Sequence, residues 1–229
     1  RKHMETIASK GMVIDTCGTG GDGVGAFNIS TAASFIVAAC GVKVAKHGGR
    51  AASSKCGSAD VLEALGVHIM LKPKQATAIL NKVGLVFFFA PLYHPAMKQI
   101  APFRKELGVR TVFNFLGPFL NPAGVKRQLI GVPNSAIAKK LASVAVRLGY
   151  EHALIVSSKD GMDEISIASP TQIYEIKDKK ITSRVIKPSQ FNLKKAPLSV
   201  IAGGDASKNS STILEILEGR RSSYRDIVV

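Results

Sequence analysis

The residues from Asp15 to Thr31 read DTCGTGGDGVGAFNIST, with five glycines in the eight positions from Gly18 to Gly25. Glycine has no Cβ, so its backbone N–H can approach a ligand closely and its φ can be positive. Placed between a strand and a helix, such a run can cradle an anion. The flanks agree: MVID reads as a short buried strand, and ISTAASFIVAAC carries apolar residues at helical spacing until Gly41 stops it. No G-x-x-x-x-G-K-[ST] is present, which excludes a Walker-type loop. Gly18, Gly20 and Gly23 satisfy G-x-G-x-x-G, yet no Asp or Glu lies between Asp22 and Asp60 to bind a ribose. NAD is therefore disfavoured, whereas NADP survives this test because the next strand runs into Lys46, His47 and Arg50. Asp22, inside the loop, suits a ligand that brings Mg²⁺ or sugar hydroxyls with its phosphates.

Other residues could share that chemistry. Asp163 and Glu164 are adjacent in a Gly-Met-Asp-Glu turn, and two hard oxygen donors suit Mg²⁺ carried by phosphates. Lys46 ends a strand and should point at phosphate. Asn28, Ser30 and Thr31 open a helix, where capping the helix and facing an anion are compatible roles. Arg104 offers a guanidinium that can pair bidentately with a carboxylate. His3, His68 and His152 match no site motif and read as structural.

These residues need a scaffold, and the chain supplies an alternation of strands and helices, hence an α/β domain. The spacing predicts strands at 42–46, 85–89, 128–132 and 153–157, and helices over SADVLEAL (capped by Ser58 or Asp60), from Pro73 to about Lys82, over 134–148 and over about 207–218. LVFFF is apolar throughout, so it should be buried on both faces. Residues 92–117 look helical but broken by prolines, TQIYEI and KITSRVI suggest a hairpin, and RDIVV reads as a strand-like run that looks cut rather than finished.

Composition bounds the partners. A chain of 229 residues is one large domain or one and a half, and its apolar runs are strand-sized rather than membrane-spanning. Cys17, Cys40 and Cys56 have neither metal-ligand spacing nor an even count, and read as reduced thiols in a cytoplasmic protein. The net charge of +15 raises nucleic acid as a partner, but it is spread evenly: 14 basic and 6 acidic residues over 1–115, and 17 and 10 over 116–229. A polyanionic small substrate accounts for it at least as well.

DTCGTGGDGVGAFNIST, VKVAKHGGRAASSKCGSADVLEALG, APLYHPAMKQIAPFRKELGVRTVFNFLGPFLNPAG and GMDEIS, in this order, resemble the anthranilate phosphoribosyltransferase family from about residue 12 to 229. The resemblance implies Mg²⁺-dependent transfer of phosphoribosyl from phosphoribosyl pyrophosphate (PRPP) to the amine of anthranilate, in tryptophan biosynthesis. It implies a nucleoside phosphorylase/phosphoribosyltransferase-type domain, a central mixed sheet flanked by helices, over 13–91 and 118–229. Residues 1–12 would end or link a small helical domain, and residues 92–117 would be its inserted part. Most of that domain would precede residue 1, the family would continue past Val229, and the full-length protein would be a homodimer through it. PRPP would meet Gly18, Thr19, Gly20, Gly21, Asp22, Asn28, Ile29, Ser30, Thr31, Lys46, His47, Gly48, Arg50, Ala51, Ser53, Ser54 and Ser58. Anthranilate would meet Gly18, His47, Gly49, Tyr93, His94, Met97 and Arg104, and the metal Ser30, Asp163 and Glu164, with no general base firmly assigned.

Alternative readings of several residues remain: a structural ion pair for Arg50, a helix start for His94, and a base, a substrate contact or a loop histidine for His47. Two positions depart from the family pattern: Gly49 stands where relatives carry Asn, and Ala26 where they carry Ser or Thr. They leave room for a related phosphoribosyltransferase or nucleoside phosphorylase-like enzyme with another acceptor. A basic nucleic-acid-binding homologue is the remaining alternative, and acidic groups beside the groove argue against it.

Overall fold

The computed structural model describes residues 4–9, 11–51, 54–109 and 111–229; the side chains of residues 98, 101, 104 and 105 lie outside that description. Its centre is a seven-stranded sheet in the order β3-β2-β1-β4-β5-β6-β7. The strands are β1 (Val13–Gly18), β2 (Lys43–Gly48), β3 (Leu85–Phe89), β4 (Arg127–Gly131), β5 (His152–Ser158), β6 (Thr171–Lys177) and β7 (Lys180–Ile186). The first five are parallel, and β6 and β7 pair antiparallel at one edge. The sheet is thus mixed and flanked by helices, the α/β class that the alternation of elements requires.

Successive side chains on a strand point to opposite faces, and this alternation sorts the molecule into layers. One face holds Val13, Ala45, Val86, Phe88, Ile130, Ala153 and Ile155 against α3 (Pro73–Val83) and α7 (Ser135–Arg147). The other packs against α1 (Ile29–Ala39), α2 (Ser58–Ala64), α8 (Ala206–Leu217) and α9 (Ser223–Val228), with Ile201, Ile213 and Met162 at the centre of that core. Phe87 and Phe88 of β3 point to opposite faces and both are buried, as an all-apolar strand demands.

Between β3 and β4 the chain leaves the sheet through α4 (Ala90–Tyr93), α5 (Pro95–Leu107), α6 (Phe113–Leu116) and a 3₁₀ turn (Gly117–Leu120). Pro95 and Pro102 both belong to α5, so the second proline sits inside a helix rather than breaking it. Asp178 and Lys179 join β6 to β7 with φ of 50° and 61°, the two-residue turn whose twist suits a hairpin.

Two expectations are corrected. The apolar tail RDIVV is not a strand: it belongs to α9, whose start is capped by Ser222 Oγ accepting from Arg225 N–H at 3.3 Å. Tyr224, Ile227 and Val228 lay one stripe on the core beside α1, spacing that five residues read alone do not reveal. The cap of α2 also differs. Gly57 is the N-cap, and Asp60, two residues into the helix after Ser58, reaches back to accept from Gly57 N–H at 2.8 Å and Ala51 N–H at 3.0 Å.

Candidate active site

The chain builds outward from β1 in both directions: β2 and β3 lie on one side, β4 and β5 on the other. A crevice therefore opens beyond the carboxyl ends of β1 and β4, where such sheets bind ligands. The glycine loop leaves β1 at this point. Gly20, Gly21, Gly23 and Gly25 have φ between 68° and 75°, a conformation that side chains oppose. Thr19 N–H donates to Gly131 O of β4 at 2.9 Å, closing the loop over the crevice.

The acidic turn after β5 folds onto the same spot. Asp163 Oδ2 accepts from Gly20 N–H at 2.8 Å. A Cβ at Gly131 would stand 1.6 Å from the Asp163 carbonyl oxygen, and one at Gly18 would stand 2.2 Å from Asp163 Oδ2. Two bare strand ends are thus what lets the acidic turn sit against the loop. Burial raises Asp163 to about 6, Asp22 adds to the rise, and the Gly20 N–H opposes it. Burial also raises Glu164 to about 8, with the Asp163 charge adding and Lys46 and the Ser30 N–H opposing. Glu164 therefore holds the start of α1. The sequence offers this helix start, with Asn28, Ser30 and Thr31, to an anion of the substrate; Asn28 occupies the N-cap position, but its side chain makes no cap hydrogen bond. Its amide instead donates to Cys56 O at 3.1 Å and accepts from Asn209 at 2.9 Å, tying α1 to α8.

Beneath the turn lies Lys46, only 2 % exposed, on the α1 face of β2. Its Nζ donates to the Thr16 carbonyl and to Ser30 Oγ, the latter at 3.1 Å. Burial lowers its pKa, while Asp15, Cys17 and Glu164 pull it back up. Among the described residues no three acidic, histidine or cysteine side chains converge tightly enough to hold a bare ion. The donor set nevertheless fits Mg²⁺ delivered with phosphate and water: two carboxylates driven up by burial and mutual repulsion gain by facing a divalent charge. The buried Thr19 hydroxyl has no partner among the described residues, as expected of a loop that awaits a ligand.

On the opposite face of β2, His47 is 8 % exposed and neutral. Burial drives its pKa down to about 3, with His94 and Lys46 adding and the Gly117 carbonyl opposing. His47 Nδ1 lies 3.3 Å from Gly117 O and so carries the proton; its Nε2 faces His94 Nε2 at 3.0 Å. His94 ends α4 and begins α5, so its helix-start role and its place at His47 coexist. Met97, half-buried in the first turn of α5, donates its N–H to His94 O at 2.9 Å.

The remaining expected site residues divide. Thr31 Oγ1 donates to Ser58 Oγ at 3.0 Å, linking the starts of α1 and α2. Ile29 is buried in the core. Ser54 Oγ donates to Cys56 O, and Gly48 packs against Phe87 and Ser58 with no room to spare. Arg50 forms the structural pair the sequence allowed: it bridges Asp60 at 2.9 Å and Glu63, and lies over the Phe89 ring. Tyr93 is fully buried: its ring packs on Phe88 and its hydroxyl donates to Leu71 O at 2.8 Å. Ser53 and the Arg104 side chain lie outside the described residues. Sequence reading missed Asp15, Asn121, Gln128 and Gly131, whose roles rest on partners far away in the chain.

A mixed sheet with a glycine loop, an acidic turn and a buried lysine at the switch point of its parallel part has the layout of an α/β phosphate-binding domain. The family described as "Glycosyl transferase family, a/b domain" matches residues 10–229. An anthranilate phosphoribosyltransferase of Pelotomaculum thermopropionicum is 50% identical, over 100% of this chain and 67% of its own length. One from Desulforamulus reducens is 49% identical, over 95% of this chain and 63% of its own. Among solved structures, the anthranilate phosphoribosyltransferase of Thermus thermophilus superposes with a TM-score of 0.92 at 40% identity, covering 98% of this chain and 67% of that one. The Saccharomyces cerevisiae enzyme in complex with PRPP and Mg gives 0.90 at 30% identity, covering 99% and 64%. The chain belongs to the anthranilate phosphoribosyltransferase family, and it spans about two thirds of the length of these relatives.

Proposed function

We propose that the chain transfers phosphoribosyl from PRPP to the amine of anthranilate, releasing pyrophosphate, in tryptophan biosynthesis. The observation that carries this reading is the junction of loop and acidic turn, Gly20 N–H on Asp163 Oδ2, above the buried ammonium of Lys46. The glycine loop and Lys46 hold the diphosphate. Ser30, Asp163 and Glu164 hold Mg²⁺ through oxygen, and the ion supplies charge neutralisation to the leaving pyrophosphate. His47, His94, Met97 and Gly49 border the acceptor side, with Arg104 as partner for the anthranilate carboxylate.

An aromatic amine is a neutral nucleophile near pH 7, so alignment with the ribose carbon and stabilisation of developing charge are the main tasks. A neutral His47 is suited to contact that amine without repelling the oxocarbenium-like centre. The exposed apolar residues Phe103, Leu107, Val109 and Val112 support the reading of 92–117 as part of a small helical domain that makes a homodimer. No helix among the described residues is long and apolar enough to cross a membrane, and we place the enzyme in the cytoplasm.

The test is the loss of anthranilate fluorescence on adding PRPP and Mg²⁺, with and without EDTA. Metal-dependent turnover is expected. Thermal stabilisation by PRPP and Mg²⁺ without turnover would indicate a different acceptor and overturn the anthranilate assignment.

A further inference from the structure

Asp15 is a fully buried carboxylate that the proposed mechanism does not use. It lies in β1 on the same face of the sheet as His47, and no lysine or arginine pairs with it directly among the described residues. Burying an unpaired carboxylate is costly, and burial raises Asp15 to about 6 even though Lys46, Asn121 and the His47 and Thr16 backbone oppose it. Its hydrogen bonds show what it holds in place. One oxygen accepts the backbone N–H of His47 at 3.3 Å. The other accepts Asn121 Nδ2 at 2.8 Å and Gln128 Nε2 at 3.1 Å.

Both amides reach the turn that faces His47. Gln128 Nε2 also donates to Pro118 O at 2.9 Å, and Asn121 ends that turn while donating to Ala45 O at 2.7 Å. The Gly117 carbonyl in the same turn is the acceptor that fixes the proton of His47 on Nδ1. The backbone of His47 and the carbonyl that sets its tautomer are therefore both anchored through one carboxylate. Tyr150 completes the set by donating its hydroxyl to Gln128 Oε1 at 2.8 Å, which leaves Gln128 Nε2 facing Asp15.

We propose that Asp15 is a positioning residue for the acceptor side of the site: it acts through His47, fixing the imidazole's place and the nitrogen it presents. This rests on the reading of His47 as an acceptor contact. Asp15→Asn keeps the shape but brings an NH₂ to a spot where only donors converge, so the turn and His47 lose their common anchor.

The experiment is a double-mutant cycle in the full-length protein, with Asp15→Asn and His47→Ala made singly and together, and KM measured for both substrates. Asp15→Asn is expected to raise the anthranilate KM about tenfold and to change the PRPP KM less than threefold. In the His47→Ala background the same change should shift the anthranilate KM less than twofold, because the residue it acts through is gone. Equal fold-changes in both backgrounds, or equal effects on both substrates, would overturn the proposal. Where Asp15→Asn does not fold, Tyr150→Phe carries the same cycle, with a smaller effect of the same pattern expected and the same outcomes overturning it. Wild-type protein run alongside separates the two failures: no anthranilate turnover sinks the function, whereas wild-type turnover with an additive cycle sinks only the role of Asp15.

Discussion

At the scale of single residues, two glycines behave oppositely. Gly131 is a contact glycine: any Cβ there runs into the Asp163 backbone, which cannot step aside without dragging the acidic turn off the strand ends. Gly131→Ala should cost about 1–3 kcal/mol by overpacking, and it should abolish the thermal stabilisation given by PRPP and Mg²⁺ together. A calorimetric scan with and without both ligands checks each half. Gly49 is the reverse. Nothing lies within 4 Å of a Cβ built on it, and its φ is not in the left-handed region. Gly49→Asn should therefore leave the melting temperature nearly unchanged while lowering the anthranilate KM, because it adds the amide that the family resemblance implies at this position. An unchanged KM would show that position 49 does not see the acceptor. None of this contrast was legible in the sequence, where the loop glycines and Gly131 look alike. What was legible is the chemistry carried by residue type and local order: the loop, the Lys46 strand end and the Asp163–Glu164 turn. Asp15 escaped because its partners Asn121 and Gln128 lie 106 and 113 residues away.

At the scale of elements, periodicity decided what could be read. The all-apolar β3, the alternating hairpin strands and the Pro-initiated α3 sit where spacing and punctuation place them. The tail that became α9 failed for a physical reason: a six-residue helix shows fewer than two turns, and its stripe is visible only against the core it meets. Helix α7 offers a clean test of elements that position nothing catalytic. Asn134 Oδ1 accepts from Ala136 N–H at 2.9 Å and Ile137 N–H at 3.1 Å, so Asn134→Ala should cost about 1 kcal/mol. Those two bonds reach only the first turn of α7, and Asn134 contacts none of the proposed site residues through them, so both KM values should stay within twofold. A selective rise in either KM would mean that α7 transmits strain to the site.

At the scale of the whole molecule, the site imposes a pH dependence on folding. His47 is buried, and its folded pKa is depressed from 6.5 to about 3. Protons therefore bind the unfolded chain first as the pH falls, and folding stability drops between about pH 6.5 and pH 3. Asp15 acts in the other direction: its pKa rises from 3.8 to about 6 on folding, so acidification through that window favours the folded state. Comparing wild type with His47→Gln isolates the histidine, since Asp15 is common to both. From pH 6.5 to pH 4 the wild type should lose about 3 kcal/mol relative to the variant: 2.5 pH units at about 1.4 kcal/mol each, less about 0.4 kcal/mol because the unfolded histidine is already half protonated at pH 6.5. Denaturant unfolding of both proteins at the two pH values measures it. Parallel curves would mean that His47 accepts a proton in the folded state, with His94 sharing it, and that the imidazole facing the acceptor is charged rather than neutral.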